Sequence, residues 1–360
     1  MSEYVVDKFR RRFAADEVRF GVVREPVGEL PIIDLSPFVN NGSDAEKRAV
    51  ADQLREASIN IGFFFLKNHG ISQQEMDEAL SWVAEIFDLP VAEKEKLHQK
   101  HSPHSHGWFP SEHENLQGTV DSKPDLKEGF SIGRELEPND PMTDQPLMGP
   151  NPYPDDALPG FGPFIKKYLA DVGVVGGHLL RAFALSLGFE ETRFDSDHTH
   201  HFGFARMNYY PPVTEADVAQ QQWSCGAHTD YEEFTLLLQD DVGGLEVCNS
   251  AGDWISVPVK PGMFVVNIGD LMSIWTNDLY ASTPHRVRNV SGKKRYSFPY
   301  FYGPGKDASI ECLETCQSPD NPPKYAPTDV ITYNVAQVSQ THPVETLKEF
   351  RGFEHVGVQS

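Results

Sequence analysis

The chain has 360 residues, with 31 Lys and Arg against 53 Asp and Glu, a formal charge of -22. A surface that acidic repels phosphate backbones and anionic lipid, so nucleic acid and membranes are poor partners. An apolar fraction of 39% and an aromatic fraction of 11% describe a folding chain with a sizeable core, near the upper end for one domain.

The stretch up to about Glu29 is charged and irregular and lacks the apolar run of a secretory signal. No run of 18 apolar residues occurs, so no membrane-spanning helix is expected. Cys225, Cys248, Cys312 and Cys316 match no zinc or redox spacing, and a reducing, cytoplasmic setting is expected. Residues 30–35 read as a short strand. Ser43 and Glu46 have capping-box spacing and open a helix with Val50, Leu54, Ala57 and Ile61 on one face. Residues 63–66 form a buried strand that Asn68-His69-Gly70 turns, and Ser72 caps a second helix carrying Met76, Leu80, Val83 and Phe87. Residues 98–160, rich in His, Pro, Gly, Asp and Asn, read as a functional loop region or part of a lid. Within them the compact island Asp125-Leu126-Lys127-Glu128-Gly129-Phe130 stands out. Trp108, Phe109 and Phe130 line a lid over a pocket, or else they are ordinary packing.

From Pro163 to Leu187 runs the longest helical pattern, closed by Gly188; Gly173, Gly176 and Gly177 weigh against its being unbroken. Beyond residue 200 short β-branched and aromatic runs alternate with turn residues, at 234–238, 244–247, 254–259, 263–268 and 295–301. They read as an antiparallel sandwich or barrel, with Gly243-Gly244 as a tight turn. The tail from about Ala336, with Thr341, Pro343 and Leu347, is either a helix closing a site or plain surface. The expected organisation is an N-terminal helical and mixed region, 1–160, packed on a core over 161–310, with an extension over 311–360.

His228-Thr229-Asp230 carries the chemistry. Alternate residues of a strand point to one face, so an imidazole and a carboxylate converge. His285, 55 residues beyond Asp230, can join them across an antiparallel pairing. Two imidazoles and one carboxylate on one face of an octahedral metal leave three positions open, as in non-haem iron(II) oxygenases. Spacing alone is a weak signal in a chain with 14 histidines. Two further runs strengthen it. Arg206, Asn208 and Tyr210 share one strand face, which suits a polar pocket or a solvated surface. Arg295 and Ser297 share another, and a guanidinium beside a hydroxyl can hold a carboxylate.

In this order and spacing the motifs resemble the isopenicillin N synthase-like branch of the iron(II)/2-oxoglutarate-dependent dioxygenases. They run from Leu30-Pro31-Ile32-Ile33-Asp34 through Gly62–Gly70, Asn208-Tyr209-Tyr210-Pro211-Pro212, Gly226–Asp230 and Gly243-Gly244-Leu245 to His285-Arg286-Val287 and Arg295-Tyr296-Ser297. The resemblance implies a mainly β fold with flanking helices, a distorted double-stranded β-helix (jelly roll, cupin-like). It implies Fe(2+) held by His228, Asp230 and His285, with 2-oxoglutarate and O2 as co-substrates. Arg295 and Ser297 would bind the distal carboxylate of 2-oxoglutarate, Tyr210 would assist, and Asn208 would sit near its other end. The implied activity is oxidation of a small-molecule substrate, typically hydroxylation, with release of succinate and CO2. An oxidase or cyclase that dispenses with 2-oxoglutarate, and a jelly-roll binding protein without catalysis, are the alternatives. Phe301 follows the Arg295 face if Pro299 leaves the strand regular; with Trp108 and Phe130 it is a candidate substrate wall suited to an aromatic or hydrophobic metabolite. After Asp230 the chain reads Tyr231-Glu232 where many relatives read Tyr-Gly. That position is expected to face loop rather than metal and to alter pocket shape. Substrate identity and oligomeric state are not encoded in these motifs.

Overall fold

The computed structural model describes residues 28–117, 123–143, 145–220 and 222–341; the expectations for the first residues and for Pro343 and Leu347 lie outside them. The strands are β1 (Ile32–Asp34), β2 (Phe63–Lys67), β3 (Gly107–Phe109), β4 (Glu128–Gly133), β5 (Phe202–Tyr210), β6 (Cys225–His228), β7 (Phe234–Gln239), β8 (Leu245–Cys248), β9 (Trp254–Ser256), β10 (Phe264–Ile268), β11 (His285–Val287) and β12 (Arg295–Gly303). The helices are α1 (Ser36–Val39), α2 (Asp44–Asn60), α3 (Gln73–Asp88), α4 (Val91–Lys96), α5 (Phe161–Ser186), α6 (Glu215–Ala219), α7 (Asp270–Trp275) and α8 (Val330–Thr341).

A large sheet runs β1-β2-β10-β7-β12-β5-β4-β3 and a small one β6-β11-β8-β9. From β5 to β8 and again from β10 to β12, successive strands fall in opposite sheets. That winding is a double-stranded β-helix. It also corrects the reading of Gly243-Gly244. Both residues have positive φ, 79° and 94°, but the turn carries the chain from the large sheet to the small one rather than closing a hairpin. Strands from the first 160 residues extend both edges of the large sheet: β2 pairs with β10, and β4 with β5.

Local rules account for the helices. Ser43 and Glu46 form the capping box of α2, which buries Val50, Leu54 and Ala57. Each fully buried side chain of valine or leucine size contributes about 1.5–3 kcal/mol. Ser72 accepts from the Glu75 amide at 3.2 Å and starts α3. The unbroken 26-residue α5 is long and apolar enough to cross a bilayer by length and composition, although Lys166, Lys167, Asp171 and Arg181 interrupt its apolar residues. Its apolar face is spent on the core, where Leu169, Val172, Leu179 and Phe183 are buried. The glycines that weighed against it have a packing role. A Cβ at Gly176 would lie 2.5 Å from the Tyr302 ring, so glycine lets α5 lie close on β12.

One contact ties the N-terminal region to the site. Gly62 has φ +66°, and a Cβ there would come within 1.9 Å of the Ala281 carbonyl. That close approach lets the α2–β2 turn hold the segment before β11: Thr283 Oγ1 donates to the Ile61 carbonyl at 2.6 Å, and the Ala281 amide to that of Ser58 at 2.8 Å.

Candidate active site

His228 ends β6 and His285 begins β11, and the two are direct antiparallel partners. Their ring centroids lie 4.3 Å apart. Asp230 follows two residues after His228, and its Oδ1 sits 3.7 Å from His228 Nε2 and 3.6 Å from His285 Nε2. All three offered ligand atoms lie within 4.8 Å of one another. The surroundings orient each donor. His228 Nδ1 faces the Gly226 carbonyl at 2.8 Å and His285 Nδ1 that of Thr283 at 3.2 Å; donation there leaves the Nε2 lone pairs facing the centre. Asp230 Oδ2 accepts from Asn267 Nδ2 at 2.7 Å and from the Thr235 hydroxyl. Only Oδ1 remains for a metal, which favours one-oxygen ligation and keeps further positions free.

The electrostatics agree. Burial, then the neighbouring His228, pushes His285 down to about 4, and burial likewise lowers His228. Both rings are therefore neutral and able to ligate at neutral pH. Burial works to raise the Asp230 carboxyl, but His285, His228 and the donors from Thr235 and Asn267 outweigh it and hold the group ionised. Two neutral imidazoles and one carboxylate fit a hard-to-borderline divalent ion such as Fe(2+). Cys225 also borders the cavity, but burial pushes its thiol up to about 12, so it offers no thiolate.

The same cavity extends to Arg295, Ser297, Tyr210 and Asn208. Antiparallel register brings these together, Arg295 opposite Tyr210 and Ser297 opposite Asn208. Arg295 is 1% exposed. Its Nη2 donates to Gln239 Oε1 at 3.2 Å, while its Nε and Nη1 are buried with no hydrogen-bond partner among the described residues. A buried guanidinium with two idle donors is costly alone and matches a carboxylate. The residues present therefore fit a small dicarboxylic acid reaching from Arg295 to the triad.

On the other side of His228 and Asp230 a second cavity opens, sharing Arg206, Leu116 and Phe301 with the first. Phe301 is on it because β12 stays in register through Pro299. Trp108 and Phe130 are not. They are cross-strand partners on β3 and β4, 4% and 0% exposed in the hydrophobic core, because strand alternation turns them away from the face that carries Arg206. Phe109, one residue on, takes the other face and packs under the Arg206 guanidinium at 5.2 Å. The wall is also more polar than an aromatic lid. Arg206 Nη1 donates to Glu114 at 2.9 Å, and Lys127 pairs with Glu114 at 3.0 Å and with Asp125 at 3.3 Å. Asp125 Oδ1 accepts from the Gly226 amide at 2.8 Å and so fixes the start of the strand that carries His228. Glu232 faces this cavity rather than loop, as do Asn334 and Val338 of α8. Burial, then the Asp230 charge, pushes the Glu232 carboxyl up to about 8. The Asp125–Phe130 island signalled Lys127 and Asp125; nothing in the sequence pattern marked Asn267, Thr235 or Asn334.

Comparison with known proteins gives a consistent result. Residues 30–156 match the family of non-haem dioxygenase N-terminal regions in morphine synthesis, and residues 202–304 match the 2OG-Fe(II) oxygenase superfamily. The 2-oxoglutarate-Fe(II) type oxidoreductase ppzC of Metarhizium majus is 34% identical over 331 residues, covering 84% of this chain and 86% of that one. The crystal structure of a full-length Neurospora crassa protein in complex with alpha-KG is 29% identical with a TM-score of 0.77, covering 90% of this chain and 99% of that one. JOX2 in complex with 2OG, Fe and JA is 26% identical with a TM-score of 0.69, covering 93% of each chain. A two-histidine, one-carboxylate face beside a buried arginine, on a double-stranded β-helix matched along most of its length by such proteins, makes this chain a member of the 2OG-Fe(II) oxygenase superfamily, an iron(II)- and 2-oxoglutarate-dependent dioxygenase acting on a small molecule.

Proposed function

We propose that the chain hydroxylates a small organic metabolite, with His228, Asp230 and His285 holding Fe(2+), and with Arg295, Ser297 and Tyr210 holding the distal carboxylate of 2-oxoglutarate. The observation that carries this is the buried Arg295, in the cavity that the triad borders, whose Nε and Nη1 lack hydrogen-bond partners among the described residues. When bound, iron and 2-oxoglutarate supply the oxidising power, the keto acid giving CO2 and succinate while one oxygen atom of O2 enters succinate and the other the substrate. The protein does the rest. Arg295 and Ser297 orient one end of the co-substrate. The Gly226 and Thr283 carbonyls keep both imidazoles in the ligating tautomer. Asn267 and Thr235 hold Asp230 to one free oxygen. The substrate takes the second cavity, on the far side of His228 and Asp230 from the arginine.

The alternatives gain no support. The relatives named above are 2-oxoglutarate-Fe(II) proteins, and a non-catalytic jelly roll has no need of a neutral imidazole pair around an ionised carboxylate. Iron-loaded protein given 2-oxoglutarate and oxygen tests the proposal when succinate and oxidised substrate are measured together across a metabolite panel. Equal amounts of both, abolished by His228→Ala, are expected; oxidised product without succinate would overturn the 2-oxoglutarate assignment.

A further inference from the structure

The three candidate ligands are braced by different neighbours. Asn267 and Thr235 hold Asp230, and the α2–β2 turn holds the segment before His285 through Thr283. His228 ends a strand that is irregular. β6 lies at the edge of the small sheet. It also bulges: His228 faces His285 and Cys225 faces Val287, so three steps along β6 match two along β11. A bulge re-aims the side chain beside it and leaves a backbone group out of the ladder. The 125–130 island meets β6 at that point. The Gly226 amide donates to Asp125 Oδ1 at 2.8 Å, and the Leu126 amide to the Trp223 carbonyl at 2.8 Å. The Gly226 carbonyl faces His228 Nδ1 at 2.8 Å. One glycine inside the bulge thus joins Asp125 to the imidazole.

Asp125 is itself held. Lys127 Nζ lies 3.3 Å from Asp125 Oδ2 and 3.0 Å from Glu114, and Glu114 also accepts from Arg206. Asp125, Lys127 and Glu114 are 1%, 3% and 2% exposed. Buried ion pairs add little net stability, because desolvation offsets most of their attraction; what this row of alternating charges supplies is a fixed place for the Asp125 carboxyl. We propose that Asp125 is a positioning residue for His228: set in place by Lys127, it pins the bulge at Gly226 and so aims the imidazole at the metal. This rests on the reading of the site given above, and it assigns a task to an island that the metal ligands and the 2-oxoglutarate clamp leave unused.

Cobalt(II) in place of iron shifts the ring N–H protons of ligating histidines far outside the ordinary NMR range, one signal for each imidazole. Asp125→Ala should move one of the two signals and leave the other in place. It should also weaken Fe(2+) binding about tenfold in competition with a chelator, the lower end for a group that acts behind a ligand. Asp125→Asn, which keeps an oxygen for the Gly226 amide, should restore the signal and most of the affinity. A general loss of stability would move both signals or neither, and asparagine would not rescue it. An alanine protein whose two signals stay in place or move alike, or an asparagine protein no better than alanine, overturns the proposal. Should the alanine protein fail to fold, Asp125→Glu is read instead, since it carries the same carboxyl one methylene out of position. It should move one signal, and a spectrum like that of the unaltered protein overturns the proposal. Unaltered protein that gives no shifted pair with cobalt(II) overturns the site assignment and the proposal with it; with the pair present, the variants judge Asp125 alone.

Discussion

The two ends of the active site are built differently. The end proposed for 2-oxoglutarate is a piece of sheet: Arg295 and Ser297 on β12 face Tyr210 and Asn208 on β5, residue against residue. The second cavity, which the proposal gives to the substrate, adds to Phe204, Arg206 and Phe301 of the same two strands residues from the 98–160 region, the turn after Asp230 and the face of α8. Ladder hydrogen bonds fix the first to the backbone. The second depends on side-chain pairs such as Lys127–Glu114–Arg206. Under the proposed assignment, chemistry shared by every turnover sits on the rigid part, and selectivity draws on the walls that loops and a helix can vary.

Both ends depend on the metal face between them, so breaking that face should have the largest effect. His285→Ala should lower turnover by roughly three orders of magnitude or more, with the iron content of purified protein falling in parallel. Next, Arg295→Ala should raise the 2-oxoglutarate KM by about 30-fold to several thousand-fold, the 2–5 kcal/mol cost of leaving a buried carboxylate unpaired. The substrate KM should stay nearly unchanged. If both move together, the two ends are not separable. Asn267→Ala removes one of the two donors to Asp230 Oδ2 and should weaken iron binding by about 10- to 100-fold, read by competition with a chelator. The smallest effect is expected at α8. Asn334→Ala removes one hydrogen-bonding side chain from the wall of the second cavity, about 1 kcal/mol, and should raise the substrate KM several-fold while leaving the 2-oxoglutarate KM in place.

The same contrast explains what could be read from the sequence. Period-two alternation holds through β5 and β12, so Asn208, Tyr210, Arg295, Ser297 and Phe301 could be assigned to a face from their positions alone. It fails just past β6, where the chain leaves the strand after His228, and so Glu232 was expected to face loop. Trp108 and Phe130 were misplaced because the irregular composition around them hid β3 and β4, and with the strands their facing. Helix α7 went unread because all six of its residues are buried, which leaves no polar face to give a helical period. Asn267 and Thr235 gave no signal, since a strand residue that orients a ligand looks in sequence like any other.

The pairing of His285 with His228 has a consequence for how the protein reaches its native state. A slip of one residue between β6 and β11 would turn both imidazoles to opposite faces of the small sheet, and no arrangement of Asp230 could then complete a three-ligand face. Tight iron binding is therefore possible only for chains whose strands are correctly aligned. In a population of newly made molecules the metal acts as a proofreader of alignment, adding its binding energy to the native pairing and none to its misaligned neighbours.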